Sequence, residues 1–501
     1  MDDTQGVDVA VVGDGVLGLS VAVEVARRAP TSRVALIGPP GREGAATPAA
    51  GAMLNCFAEV TQYTGRHPAA RAKFALARAA LDRWPAWLEQ LAEEAGPPVG
   101  EAAAASHLPG TVVLLGDGPG SIAAENFAAM CRTVHEYGEP HDLVDPGDIP
   151  GLLPAPRARP FRALYLHREG CVDARALLDA LEAAARRYGV RVVPAAVRRV
   201  LATSGAVRGV RLADGSTVEA DAVVLAAGSA SGELAAGVLP PGAVPPLLHG
   251  AGSALLTRRT RPGGTPYVVR TPNRGASCGV HVVPLPTTGR YYLGATNFIT
   301  CHRPDGPAVG SAETLIRTVR EEIDRTVATS RLTGWVWGRR PIALDCFPLI
   351  GPCSVKGLVF ATGTYRDGFH GSPVIARQVA DHLFGAAAPP GTDRAWFTPE
   401  RAPIETMTVE ESLTESAAHA TATAYEHGLD LPFFLDDDLV TGFVRDRARR
   451  LHEKLDHPVA LAPEILLLAF VLAAPATGHP HPADWLADYL RAARTYHSRS
   501  R

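Results

Sequence analysis

The sequence predicts an α/β chain of more than one domain that closes with an all-helical piece. Three observations carry this. Near the N-terminus an apolar run at residues 9–12 meets Gly13-x-Gly15-x-x-Gly18, and Leu17, Val21, Val25 and Ala26 then recur at helical spacing. In the middle, short β-type runs (PYVVRT, GVHVVPL, RYYLGATNF) accompany helical stretches at 71–91 and 313–326. After about residue 400 come four helical patterns, separated by Pro and Gly: VEESLTESAAHATATAYEHG, DDLVTGFVRDRARRLHEKL, PEILLLAFVLAA and PADWLADYLRAARTYH.

A chain of 501 residues can bury a large core, and nearly half its residues are apolar. A formal charge of −3 gives no reason to expect nucleic acid or an anionic membrane as partner. The cysteines (Cys56, Cys131, Cys171, Cys278, Cys301, Cys346, Cys353) are odd in number and form no C-x-x-C, which fits free thiols in a reducing compartment. The start MDDTQGVD has no signal-peptide character, and the run ILLLAFVLAAPA from Ile465 is too short to span a bilayer. A buried helix there and a cytoplasmic location are expected. The acids at 436–438 are candidates to cap a helix. His479 and His481 lack a third ligand and read as loop residues, so no metal is expected.

The first turn is specific in its physics. Gly13 permits a tight turn, Gly15 lets a pyrophosphate approach the backbone, and Gly18 lets helix and strand pack closely. An anion then sits on free N–H groups at a helix N-terminus. An acid that binds ribose hydroxyls usually ends the next strand. Here that strand is RVALIG and the position is Gly38, with Arg42 and Glu43 a few residues late. The motif alone does not choose between NAD and FAD.

Later stretches choose. GAATPAAGAMLN at 44–55 offers small residues around Thr47, suited to a backbone that wraps a pyrophosphate and a ring. Residues 215–234 form a strand that ends in Ala227-Gly228 and opens a helix. Residues 348–383 carry a strand, a loop with Arg366-Asp367-Gly368 and a helix starting near Pro373, whose N-terminus can stabilise negative charge. With GRRP at 338–341, DCFPLIG at 345–351, GTYRDG at 363–368 and REGCVDARALLDALEAAARRYGVRVV between, the chain resembles the FAD-dependent D-amino-acid oxidase family, in its glycine oxidase and sarcosine oxidase branch. The resemblance covers about residues 7–400.

The resemblance implies a doubly wound, Rossmann-like FAD-binding domain of the glutathione-reductase type (1–60, 165–235 and 335–400). It interleaves with a mixed-sheet α+β substrate domain (61–164 and 236–334), and an all-α extension (401–501) follows. It implies FAD contacts at Gly13, Gly15, Val16, Leu17 and Gly18, then at Thr47, Ala49, Ala50, Gly51, Met53 and Leu54. Val197 is placed near the adenine, with Ala227 and Gly228 beside the cofactor, and Gly363, Arg366, Asp367, Gly368, Phe369 and His370 at the flavin end. Cys346 is not where sarcosine oxidases attach FAD, and no histidine precedes His67, so non-covalent FAD is expected.

The implied reaction oxidises the C–N bond of an amino acid or N-substituted amino acid to an imine. The imine is hydrolysed to carbonyl and amine, while O₂ becomes H₂O₂. Arg340 aligns with the family's carboxylate-binding arginine, and a planar fork suits a carboxylate; pairing with a structural acid is its alternative role. Arg339, beside it on a strand, points elsewhere. Arg366 aligns with a second arginine near the flavin. His281 stands where glycine oxidases carry a tyrosine and Asn297 where they carry a methionine, which makes the pocket more polar. His370 is either a flavin-side group or a packed histidine. A specialised substrate of secondary metabolism, larger than glycine, is expected. An amine dehydrogenase with another electron acceptor, or a non-catalytic, partner-binding flavoprotein, are the alternatives. The helical extension is expected to cover the substrate domain or to join subunits in a homo-oligomer.

Overall fold

A computed structural model describes residues 6–117, 121–275, 279–388, 393–432, 434–436, 438–456, 458–473 and 477–499. Cys278, the middle one of the acids at 436–438, and the last three residues of the run from Ile465 (474–476) lie outside them. The described residues build two sheets. In the first, the strands Leu358–Thr362, Thr217–Leu225, Val7–Val12, Val34–Ile37 and Arg191–Val193 lie side by side and parallel. Leu349–Pro352 adds an antiparallel edge, and the ribbon Val197–Thr203 and Ala206–Leu212 extends from Thr217–Leu225. Helices Val16–Arg28, Ala174–Arg187 and Ser372–Leu383 pack on this sheet, and their apolar residues join the strands in one core. Asp173 caps the second of these by accepting from the N–H groups of Arg175 (2.9 Å) and Ala176 (3.3 Å).

The second sheet is mixed. Its order is Phe298–Thr300, Leu247–Arg258, Arg290–Gly294, His281–Leu285, Val268–Arg270, Leu108–Leu115, Arg162–Cys171 and His141–Val144. Val268–Arg270 and Leu108–Leu115 run parallel, and the long strand Arg331–Ala343 pairs antiparallel with Leu247–Arg258. The helix expected at 313–326 spans Val309–Glu322 and gives way to a 3₁₀ turn.

The strands Arg162–Cys171 and Arg331–Ala343 run through the expected boundaries at 165 and 335 and pair in the second sheet. The motifs near 165 and 335 mark only one end of each strand. Helix Pro68–Ala95, expected with the second sheet, turns Trp84, Trp87 and Leu91 into the core of the first.

The extension folds as Val409–Glu426, Asp438–Glu453, a buried piece at 463–471 and Pro482–Arg499. Thr408 and Glu411 form a capping box at its start. The apolar piece departs from the expected α-helix: after one turn, Pro463–Ile465, it continues as a π-helix, Leu466–Val471. It is buried among Leu413, Val444 and Leu486 of the extension and Leu248, Ile299 and Ile342 of the second sheet. Packing on all sides outweighs regular i→i+4 bonding here. The extension thus covers the second sheet, as one of the two expectations had it. No helix among the described residues is long and apolar enough to cross a membrane.

Candidate active site

A cleft of about 560 Å³ opens between the C-terminal ends of the parallel strands and one face of the second sheet. Val12, Ile37 and Ala226 reach it from the first sheet, and His281, Tyr292 and Arg340 from the second. Three isolated backbone bridges tie the two sides together at its rim: Ala45 with Arg339, Met53 with Cys171, and Ile342 with Thr364.

The glycines act as the turn chemistry requires. Gly13 has φ +113°, and a Cβ there would lie 2.2 Å from the Ala226 carbonyl oxygen. A Cβ on Gly18 would lie 1.8 Å from the Gly13 oxygen, so this residue seals helix to turn and does not line the cleft. At Gly15 a side chain would enter the cleft 3.0 Å from Thr47 Oγ1. Helix Val16–Arg28 has no side-chain cap of its own. Its first N–H, on Val16, donates to Thr47 Oγ1 at 3.1 Å. The open turn, the uncapped helix and the room above Gly15 are what a pyrophosphate needs.

Most of the other expected contacts also line the cleft: Leu17, Thr47, Ala49, Ala50, Gly51, Met53, Val197, Ala227, Gly228, Asp367, Gly368, Phe369 and His370. Leu54 and Gly363 do not. Leu54 is buried in the core, and Gly363 (φ +70°) turns the chain beside Leu349. Asp367 holds Lys73 at 3.0 Å. The His370 ring is buried against helix Pro68–Ala95, with Nε2 2.7 Å from the Ala77 carbonyl oxygen, and burial lowers its pKa.

Arg340 and Arg366 differ in their surroundings. Arg340 Nη1 donates to the Thr296 carbonyl (3.0 Å) and to Asn297 Oδ1 (3.4 Å), and among the described residues no carboxylate lies within ion-pair distance. A structural acid partner, the alternative role for Arg340, is therefore not what the described residues provide. Asn297 itself is buried outside the cleft. It donates to Tyr365 Oη and so links Tyr365 to Arg340. Arg339, one residue away on the strand and expected to point elsewhere, also lines the cleft, where it donates to the carbonyls of Glu43 (3.2 Å) and Pro304 (3.4 Å). Arg366 faces Glu59 at 3.8 Å and donates to Asn273 Oδ1 at 3.4 Å. Glu59 also pairs with the fully buried Arg270. Burial works to raise the Glu59 carboxyl, but Arg270 and Arg366 outweigh it and hold it at about 2.

His281 is buried, its Nδ1 is enclosed with no hydrogen-bond partner among the described residues, and its ring stacks on Tyr292 at 5.7 Å. Burial first, then the positive charges of Arg270 and Arg340, push its pKa down to about 3, so the ring is neutral. His249, on the same cleft, is held at about 4 by burial and by Arg339 and Arg303.

Several site residues escaped the sequence reading: Glu59, Arg270, Asn273, Tyr292, Tyr365 and His249. One signal was available. In HGAGS two glycines sit inside a strand, which marks a close approach. Gly250 pairs with Arg340, and a Cβ on Gly252 would lie 2.1 Å from Arg340 Nη1. The glycines clear the space that the guanidinium fills.

These features define the class: a two-sheet flavoprotein whose cofactor cleft also holds an unpaired arginine. The family model described as FAD dependent oxidoreductase (DAO) matches residues 8–382, and the chain belongs to that family. It is an FAD-binding oxidoreductase. The bifunctional protein ThiO/ThiG of Synechocystis sp. is 26% identical over 400 residues, 79% of this chain and 54% of that protein. The chain thus spans about half the length of this curated relative. Among solved structures, glycine oxidase from Geobacillus kaustophilus superposes with a TM-score of 0.64 at 24% identity, covering 79% of this chain and 98% of that one. Iminodiacetate oxidase from Chelativorans sp. matches with a TM-score of 0.64 at 18% identity, covering 79% and 100%. L-Proline dehydrogenase from P. horikoshii gives 0.63 at 18%, covering 79% and 98%. At these identities the structural matches speak for the fold.

Proposed function

We propose that the protein oxidises the C–N bond of an amino acid or N-substituted amino acid to an imine, which water converts to carbonyl and amine, with O₂ reduced to H₂O₂. The observation that carries this reading is Arg340: a guanidinium on the cleft, anchored by Thr296 and Asn297 and unpaired with any described carboxylate. Such a group takes a carboxylate in two parallel bonds. FAD bound in the cleft would supply a hydride acceptor for the carbon that bears nitrogen. Arg340 fixes the substrate's carboxylate, and the neutral His281 ring lines the same cleft. Arg366 shares Glu59 with Arg270 and shapes the pocket beside the flavin.

A second cavity of about 230 Å³ favours a substrate larger than glycine. It shares Asn55, Glu59, Tyr365, Arg366 and Asp367 with the main cleft, and Met407, His419 and Glu464 of the C-terminal extension wall it. The far end of an extended amine fits there.

The test is an anaerobic screen of amino acids and secondary amines for flavin bleaching, followed by air and an H₂O₂ assay. Bleaching that air reverses with H₂O₂ supports an oxidase. Bleaching reversed only by an added acceptor dye assigns a dehydrogenase instead. Bleaching by no amine in the panel overturns the reading, and glycine as the best substrate overturns the larger-substrate part of it.

A further inference from the structure

We propose that Asp14, inside the first glycine turn, is the carboxylate that receives the adenosine ribose hydroxyls, in place of the acid missing at Gly38. In a dinucleotide fold that acid ends the second parallel strand. Here the strand Val34–Ile37 is followed by Gly38, whose φ does not require glycine. Space does. A Cβ on Gly38 would lie 2.3 Å from Asp14 Cγ and 2.4 Å from Oδ1. The Asp14 carboxyl thus occupies the place where a side chain at position 38 would begin.

The hydrogen bonds around Asp14 hold its carboxyl in place. Arg42 Nε donates to Asp14 Oδ2 (2.8 Å) and to the Asp14 carbonyl oxygen (3.0 Å), while Nη2 donates to Glu182 Oε1 (2.5 Å). Arg186 holds the other Glu182 oxygen at 2.9 Å, so Arg42 stays shared between Glu182 and Asp14. Oδ2 is pinned by Arg42, and Oδ1 accepts no hydrogen bond from any described residue, so it is open to hydroxyl donors. Arg42 holds φ +51°, a conformation that costs a non-glycine residue, and the two ion pairs offset that cost. Asp14, Arg42, Pro39 and Val197 all line the same cleft. Asp14 and Gly38 therefore form a linked pair: the acid moved from strand end to turn, and the glycine is what gives it room.

The test uses the full chain stripped of flavin and retitrated with FAD by fluorescence, with ADP and 2′,3′-dideoxy-ADP as probes that differ only in the ribose hydroxyls. Asp14→Asn is expected to weaken FAD by about 10- to 100-fold and to remove the preference for ADP over the dideoxy analogue, with the melting temperature kept. The relocated acid, Asp14→Gly with Gly38→Glu, is expected to restore that preference. This double variant decides the matter if Asp14→Asn does not fold. An undiminished ADP preference in Asp14→Asn, or its absence from the double variant, overturns the proposal.

Discussion

The contrast between Arg340 and Arg366 rests on what each guanidinium already holds. Arg366 has Glu59 opposite it, whereas Arg340 has only a carbonyl and an amide oxygen. A substrate carboxylate therefore gains most at Arg340. Arg340→Ala is expected to lower kcat/KM by about 30- to several-thousand-fold, matching roughly 2–5 kcal/mol for stranding a buried anion. Arg340→Lys should recover only part, because an ammonium cannot make paired bonds. FAD content and melting temperature should hold. Anaerobic flavin reduction by the acid and by its ester checks this: the acid's advantage should shrink in the variant, and an unchanged rate with the acid would make Arg340 structural. His281 leads to a statement about pH. Its folded pKa, about 3, lies below the ordinary 6.5, so the unfolded chain binds a proton that the folded chain refuses. The stability linked to His281 is complete above about pH 6.5 and is lost as pH falls toward 3, by at most about 1.4 kcal/mol per pH unit. Denaturant midpoints between pH 7 and 4.5 should fall less steeply for His281→Gln than for the parent. Equal slopes would mean that the ring is solvated.

At the scale of elements, the turn at 13–18 and the strand Leu247–Arg258 do their work by omission of side chains. Gly15→Val should abolish FAD retention, since the added branches meet Thr47 and fill the room above the turn. Absorbance at 450 nm per protein after gel filtration reads this directly, and a normally yellow variant would place the cofactor elsewhere. The first turn was legible in the sequence because its spacing is local: strand, turn and helix are contiguous. The pocket wall was not. Glu59, the Arg270–Asn273 stretch and Arg366 come from three separate segments, and no spacing rule connects residues 59 and 270. The same limit applied to Asn297, which was expected in the pocket and lies behind Arg340, because strand alternation gives a side chain's face but not what stands in front of it.

For the whole molecule, the C-terminal extension is part of the core. Leu466, Leu467 and Phe470 share a buried cluster with Leu248, Ile342 and Leu344, and Arg401 grips Asp345 through both carboxylate oxygens at 3.0 Å. Ending the chain after about residue 400 would bare that apolar face. Such a truncation is expected to aggregate on expression, as light scattering or gel filtration would register. A soluble, fully active truncation would show that the extension is dispensable.

By itself the sequence determined the nucleotide turn, the two-sheet fold with a helical end, FAD as cofactor and the two arginines to examine. The turn and the helical end follow from local periodicity and glycine spacing; the two-sheet fold, FAD and the arginines follow from the family resemblance that the order of motifs carries. Only the tertiary structure decided which arginine is left unpaired, where the strands at 162–171 and 331–343 pair, and that Asp14 fills the space beside Gly38. Each of these depends on groups far apart in the chain and brought within a few ångströms. Whether a charge is balanced, or a space filled, is a property of that assembly and of no single segment.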